Sequence, residues 1–201
     1  LYRRRQRQMC IRDRYLDSDN DGICYRTYPG THPEKGAFFT RGTSHDEYAR
    51  YTEDGNVNAE TLMRLMRKFR TASELVPEPL IEINGEDSCG IIFYGSSKPA
   101  VLEAKDILKT KNINVDLMQI RSFPFNLDVW EFIANHDRIY VVEQNRDSQM
   151  RTLIMAEGGI SAEVLRPLVH FTGDPIEAAY IVNKVSEREV NYKSHKNIKE
   201  R

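Results

Sequence analysis

From residue 89 onward, short apolar runs alternate with longer stretches in which apolar residues recur every three or four positions. The runs at 90–94, 115–120, 139–142 and 165–171 have the length of strands. The stretches between and after them carry helical stripes: Val101, Ala104 and Leu108; Leu127, Trp130 and Ile133; Met150, Leu153 and Ile154; Ile181, Val182 and Val185. Strands alternating with helices predict βαβ units, a parallel sheet covered by helices, and right-handed crossovers. The helix starts carry capping chemistry: Ser96 or Ser97 ahead of Pro99, then Asn126, Asp147, and Asp174 ahead of Pro175. Their short side chains accept from the first backbone N–H groups of a helix, which have no partner inside it. Gly158-Gly159 stops the third helix, and Pro167, lacking an N–H, places its strand at a sheet edge.

Upstream the pattern changes. Leu62, Leu65, Met66, Phe69, Ala72 and Val76 share one face of a helix predicted over 59–76. Arg64, Arg67, Lys68 and Arg70 lie off that stripe, on a face that is either solvated or turned to phosphates. The stripe suits a linker helix packing on a partner surface. Pro77 and Pro79 end it, and 77–88 reads as a boundary with a short strand at 80–83 before the Asn84-Gly85 turn. The last residues, 186–201, are polar and highly charged and are expected to fray.

Composition narrows the class. The chain has 201 residues, a 40% hydrophobic fraction and a net charge of -1, which suits a globular protein with a core and no general attraction to nucleic acid or anionic membranes. No apolar run approaches the roughly 18 residues of a membrane span. The near-neutral average hides a split: residues 1–14 hold six arginines against Asp13 alone. That tract reads as a disordered or non-native basic tail, the alternative being an arm for nucleic acid or acidic lipid. Three cysteines, Cys10, Cys24 and Cys89, show no C-x-x-C spacing. This excludes a zinc ribbon and a four-cysteine iron–sulfur site within the chain, and points to a reducing, cytoplasmic setting.

Three places hold candidate chemistry. Asp17, Asp19, Asp21 and Gly22 match the first half of a calcium loop, but the twelfth position is Tyr28 where a bidentate Glu is needed. The same residues make an acidic turn without any cation. The densest polar cluster follows, with Arg41, Thr43, Ser44, His45, Asp46 and Glu47. It can converge on an anion, or Ser44 and Glu47 can form a capping box; its spacing matches no standard metal set. The third place is the carboxyl end of the predicted strands, where ligands meet open parallel sheets. That rule nominates Ser96, Ser97, Glu143, Asn145 and Gln149. The serines and a helix N-terminus can cradle phosphate, yet neither G-x-G-x-x-G nor a P-loop is present, and capping explains Ser96, Ser97 and Glu143 equally well.

Several segments add a resemblance. Tyr25-Arg26-Thr27-Tyr28-Pro29-Gly30-Thr31-His32-Pro33, the block from Gly36 through Thr40-Arg41-Gly42-Thr43 and His45-Asp46-Glu47-Tyr48, and Val141-Val142-Glu143-Gln144-Asn145 with Gln149 resemble the C-terminal part of 2-oxoacid:ferredoxin oxidoreductase alpha subunits, nearest the 2-oxoglutarate type. The resemblance implies an α/β fold: a transketolase C-terminal-like parallel or mixed sheet over 77–188, preceded at 15–76 by the end of a thiamine-diphosphate pyrimidine-binding domain and a linker helix. A tail at 1–14 and a frayed segment at 189–201 flank them. The implied activity is oxidative decarboxylation of a 2-oxoacid to an acyl-coenzyme A, with electrons leaving through iron–sulfur chemistry to ferredoxin.

The resemblance implies as partners a thiamine-diphosphate-binding beta subunit, ferredoxin, the 2-oxoacid and coenzyme A, with no nucleic acid or membrane. Thiamine diphosphate, magnesium and an iron–sulfur cluster are expected in the whole complex and none on this chain alone. Gly-Asp-Gly with a following pair of Asn, the magnesium–diphosphate motif, is missing, so no residue is assigned a catalytic or metal role. Arg41, Thr43, His45, Asp46 and Glu47 become candidates for a substrate channel or subunit interface. The alternative is a non-catalytic doubly wound module that holds a partner at its strand ends.

Overall fold

A computed structural model describes residues 15–25, 30, 33, 44–85 and 89–199. The chain divides into two units, Leu1–Val76 and Pro77–Arg201.

The second unit is the α/β sandwich that the hydrophobic pattern predicts. Its strands are β1 (Leu80–Glu82), β2 (Cys89–Tyr94), β3 (Val115–Ile120), β4 (Ile139–Glu143) and β5 (Leu165–Val169). They form one sheet in the order β1-β3-β2-β4-β5. β2 pairs in parallel with β3 and β4, and β4 with β5, whereas β1 runs antiparallel to β3. The sheet is therefore mixed, and β5, the strand that contains Pro167, is an edge.

Alternation along the strands sends side chains to two cores. On one face Ile91, Phe93, Tyr140 and Val142 meet Val101, Ala104 and Leu108 of α2 (Lys98–Thr110) and Ile181, Val182 and Val185 of α5 (Ala178–Lys199). On the other, Ile92, Met118 and Val141 meet Val129, Phe132 and Ile133 of α3 (Leu127–Ala134) and Ile154 of α4 (Gln149–Gly158). Each fully buried aliphatic side chain contributes about 2 kcal/mol, so the two cores supply the driving force. Gly90 sits where the sheet and α3 approach closely: a Cβ there would stand 3.0 Å from both Ile139 Cγ1 and Phe132 Cε1.

Four sequence expectations are corrected. Leu127, expected in the core, is 74% exposed, and Val129 and Phe132 are buried instead. The α3 stripe is rotated because Phe132 must fill the space beside Gly90. Ser97 and Asn126 occupy N-cap positions without a side-chain cap hydrogen bond. Asp147 does not cap α4; Ser148 takes that position in left-handed conformation, with φ 50°. Finally, α5 continues past Val185, where its apolar stripe ends, to Lys199. The reason is a buried anchor: Glu189, 2% exposed, accepts from Arg138 Nε at 2.9 and 3.1 Å and from the Tyr140 hydroxyl at 2.9 Å.

The first unit is built the other way round. Its helix α1 (Gly55–Ser73) begins at Asp54, whose side chain accepts from Asn56 N–H, and buries no residue. The apolar stripe is largely outside: Leu62, Met66 and Phe69 are each more than half exposed. The polar face carries the contacts. Arg67 pairs with Asp17 at 2.9 Å, Arg64 donates to the Gly22 carbonyl at 3.0 Å, and the Thr71 hydroxyl donates to the Asp21 carbonyl. Gly22 has φ +78°, and a Cβ there would lie 2.2 Å from Lys68 N, so the acidic turn needs glycine to close on the helix.

Candidate functional site

The carboxyl ends of β2 and β4 bring together most of the residues nominated there. β2 ends at Tyr94; Gly95, at φ 58°, turns the chain into a 3-10 segment (Gly95–Ser97) that leads into α2. The Gln144 amide nitrogen then donates to Ser96 Oγ at 3.0 Å and to Ser97 Oγ at 3.2 Å. Its amide oxygen accepts from Ile176 N–H at 3.4 Å. Gln144 thus ties the end of β2 to the loop before α5.

Glu143 is 1% exposed. Its carboxylate oxygens accept from Met150 N–H at 2.8 Å, Arg151 N–H at 2.9 Å and the Asn145 amide at 2.8 Å. A buried carboxylate is tolerated here because three donors and the positive end of α4 meet it. This is why α4 needs no cap from Asp147, whose carboxylate pairs with neighbouring Arg146 at 2.7 Å. Asn145 Oδ1 accepts from Asp147 and Gln149 N–H, at 3.1 and 3.2 Å, and the Gln149 side chain remains exposed. Tyr94, which sequence reasoning missed, receives a long hydrogen bond of 3.4 Å from the Asn145 amide. Burial first, and the Glu143 charge second, hold its phenol above the ordinary value. Nothing in its strand pattern separates Tyr94 from an ordinary terminal aromatic. The arrangement latches the ends of β2 and β4 to the loop before α5; it offers the two serines an amide donor but no base.

In the first unit, His45 bridges Tyr51 across a tight turn and stacks on Tyr15 with ring centres 3.9 Å apart. Asp46 closes that turn, its carboxylate accepting from Tyr48 N–H at 2.9 Å and Arg50 N–H at 2.8 Å. The Glu47 carbonyl accepts from Tyr15 N–H at 3.0 Å. Arg41 and Thr43 lie outside the described residues. A groove of about 610 Å³ runs between this turn and α1, lined by acids (Asp17, Asp46, Glu47, Glu60) and by Arg64 and Arg67.

Neither magnesium nor an iron–sulfur cluster fits the residues described. Asp17 is held by Arg67 and by Gly22 N–H, Asp46 by its turn, and no group of three or more His, Cys, Asp and Glu side chains among the described residues can hold a metal ion. Cys89 is fully buried; burial, then the Glu189 charge, push its thiol up to about 12, which leaves it inert as a nucleophile or ligand. No helix among the described residues is long and apolar enough to cross a membrane.

The sheet order and the strand-end latch can be set against known proteins. The chain is 28% identical over 176 residues, 83% of its length, to the alpha subunit of 2-oxoacid:ferredoxin oxidoreductase 2 of Aeropyrum pernix. It is 28% identical over 140 residues, 67% of its length, to the 2-oxoacid:ferredoxin oxidoreductase alpha subunit of Saccharolobus solfataricus. Its homologues are alpha subunits of 2-oxoacid:ferredoxin oxidoreductases. The chain spans 26% and 22% of the lengths of these two relatives. The fold matches that of the 2-oxoglutarate:ferredoxin oxidoreductase from Magnetococcus marinus, solved with 2-oxoglutarate, coenzyme A and succinyl-CoA bound. The TM-score is 0.74 and the identity 23%, over 90% of this chain and 31% of that one. No family model matches the chain.

Proposed function

We propose that this chain serves as a scaffold and contact segment of the alpha subunit of a 2-oxoglutarate:ferredoxin oxidoreductase. The whole enzyme would convert the 2-oxoacid to an acyl-coenzyme A and pass electrons to ferredoxin. The observation that carries the reading is the similarity to two alpha subunits over 83% and 67% of the chain; the fold likeness to a 2-oxoglutarate enzyme supports the choice of substrate. The chemistry on this chain agrees with a supporting role. Its strand-end carboxylate is consumed by helix capping, and its buried thiol is held protonated.

In this reading a separate beta subunit holds thiamine diphosphate, whose chemistry would be decarboxylation, and magnesium. Electrons would leave through an iron–sulfur cluster held elsewhere. The free, buried Cys89 thiol agrees with a reducing, cytoplasmic setting. His45, Asp46 and Glu47 would face a subunit or the substrate channel with their groove, and the strand-end residues Ser96, Ser97, Glu143, Asn145 and Gln149 would hold the surface of the second unit in shape.

The test is a viologen-reduction assay with 2-oxoglutarate, coenzyme A, thiamine diphosphate and magnesium. The complete alpha subunit with its beta partner is expected to reduce the dye faster with 2-oxoglutarate than with pyruvate. The 201-residue chain alone is expected to give no turnover. Sustained reduction by the chain alone overturns the scaffold role, and a complex inert towards every 2-oxoacid overturns the assignment.

A further inference from the structure

We propose that Arg166 and Arg188, at the β5 edge of the sheet, form a binding site for a phosphoryl-type oxyanion. Arg166 stands opposite Tyr140 in the β4–β5 register, and Tyr140 belongs to the core face that α5 covers. Glu189 is the buried carboxylate of this corner, and Arg138 with the Tyr140 hydroxyl already satisfies it. That pairing cancels one cation and leaves two.

Neither remaining guanidinium forms an ion pair among the described residues. Arg166 Cζ lies 5.9 Å from the Tyr140 ring centre and 5.8 Å from that of Tyr192. Arg188 Cζ lies 5.8 Å from the Tyr140 ring centre. Arg188 Nη1 also donates to the carbonyl of Pro167 at 2.9 Å, the residue next to Arg166 in β5. Arg166 makes one long polar contact, from Nη1 to the Tyr140 hydroxyl at 3.5 Å. Each guanidinium carries five N–H donors, so most of them have no acceptor among the described residues.

Charge and geometry then select the ligand. Two half-buried cations, Arg166 on β5 and Arg188 on α5, both beside Tyr140, repel each other and lose hydration, and an incoming anion relieves both costs. The tyrosine rings beside the two guanidinium groups restrict them, which limits the entropy lost when they grip an oxyanion through paired N–H bonds. A dianion matches the excess of two charges better than a single carboxylate does. Among the described residues no carboxylate pairs with either guanidinium; Glu187, beside Arg188, is exposed.

Titrating inorganic phosphate into the 201-residue chain at low ionic strength, while following the arginine side-chain N–H resonances by NMR, tests the site. Saturable shifts at Arg166 and Arg188 are expected, absent with chloride at matched ionic strength. R166Q or R188Q is expected to weaken binding about tenfold, the loss of one charge-assisted pair. The double variant R166K/R188K, which keeps charge without the fork, should bind with intermediate strength. Thermal unfolding of each variant separates lost binding from lost folding. Glutarate at equal charge distinguishes the ligand class: weaker competition than by phosphate or pyrophosphate supports a phosphoryl site, and equal competition overturns it. Linear, unsaturable shifts, or unchanged affinity in a folded R166Q/R188Q protein, also overturn the proposal.

Discussion

Glu143 shows how far one side chain's meaning depends on its surroundings. As a carboxylate at the end of a parallel strand it reads equally well as an acid for chemistry or as a helix cap. With Met150 and Arg151 N–H at 2.8 and 2.9 Å, it is a cap that acts from seven and eight residues away in sequence. Replacing it by Gln removes the charge and leaves one oxygen to serve three donors. We expect Glu143→Gln to destabilise the chain by about 2 kcal/mol, the range for buried hydrogen bonds to a charged group. Urea unfolding measures this, and a change below about 0.5 kcal/mol contradicts the capping role. His136 is a second buried polar residue that its sequence position did not announce. Its ring nitrogens face the Phe132 carbonyl at 2.6 Å and the Asp116 carboxylate at 3.1 Å, while Asn84 N–H binds the other Asp116 oxygen at 2.7 Å. The triad ties β3, α3 and the loop after β1 together.

At the level of elements, helix periodicity located every α-helix among the described residues but misjudged what two of them rest on. The α1 stripe is apolar in the manner of a core helix, yet the acidic turn at 17–22 docks on the other side, drawn by Arg64, Arg67 and Thr71. In α5 the apolar positions end at Val185, but Arg138 reaches from the start of β4 to Glu189 and carries the helix on. This pair is buried, so its partners are unequal to its parts. Removing either partner alone, by Arg138→Met or Glu189→Gln, is expected to cost about 3–5 kcal/mol, because a buried charge is left uncompensated. Replacing both should cost clearly less than the sum of the single changes. Chemical denaturation of the two single variants and the double variant closes this cycle; additive losses show that the pair does not act as a unit.

Over the whole molecule the two units differ in how they are held. The unit Pro77–Arg201 has a core on each face of its sheet, whereas Gly22 is the one buried position among the described residues of the unit Leu1–Val76. Local stability follows buried contacts. Amide hydrogens of α1 are therefore expected to exchange at least about a hundredfold faster than those of β2 and α2, measured by native-state hydrogen exchange. Equal protection would mean that the first unit owes its order to something other than the turn-to-helix contacts. The hydrophobic pattern alone determined the α/β class, the four parallel strands, their helices and the edge position of the Pro167 strand, because each follows from local periodicity and backbone chemistry. Only the tertiary structure decided that β1 joins antiparallel, that Glu143 rather than Asp147 caps α4, and that α5 continues to Lys199. It also brought Arg166 and Arg188 to one corner. Those outcomes depend on groups distant along the chain meeting in space, and such meetings leave no period in the sequence to read.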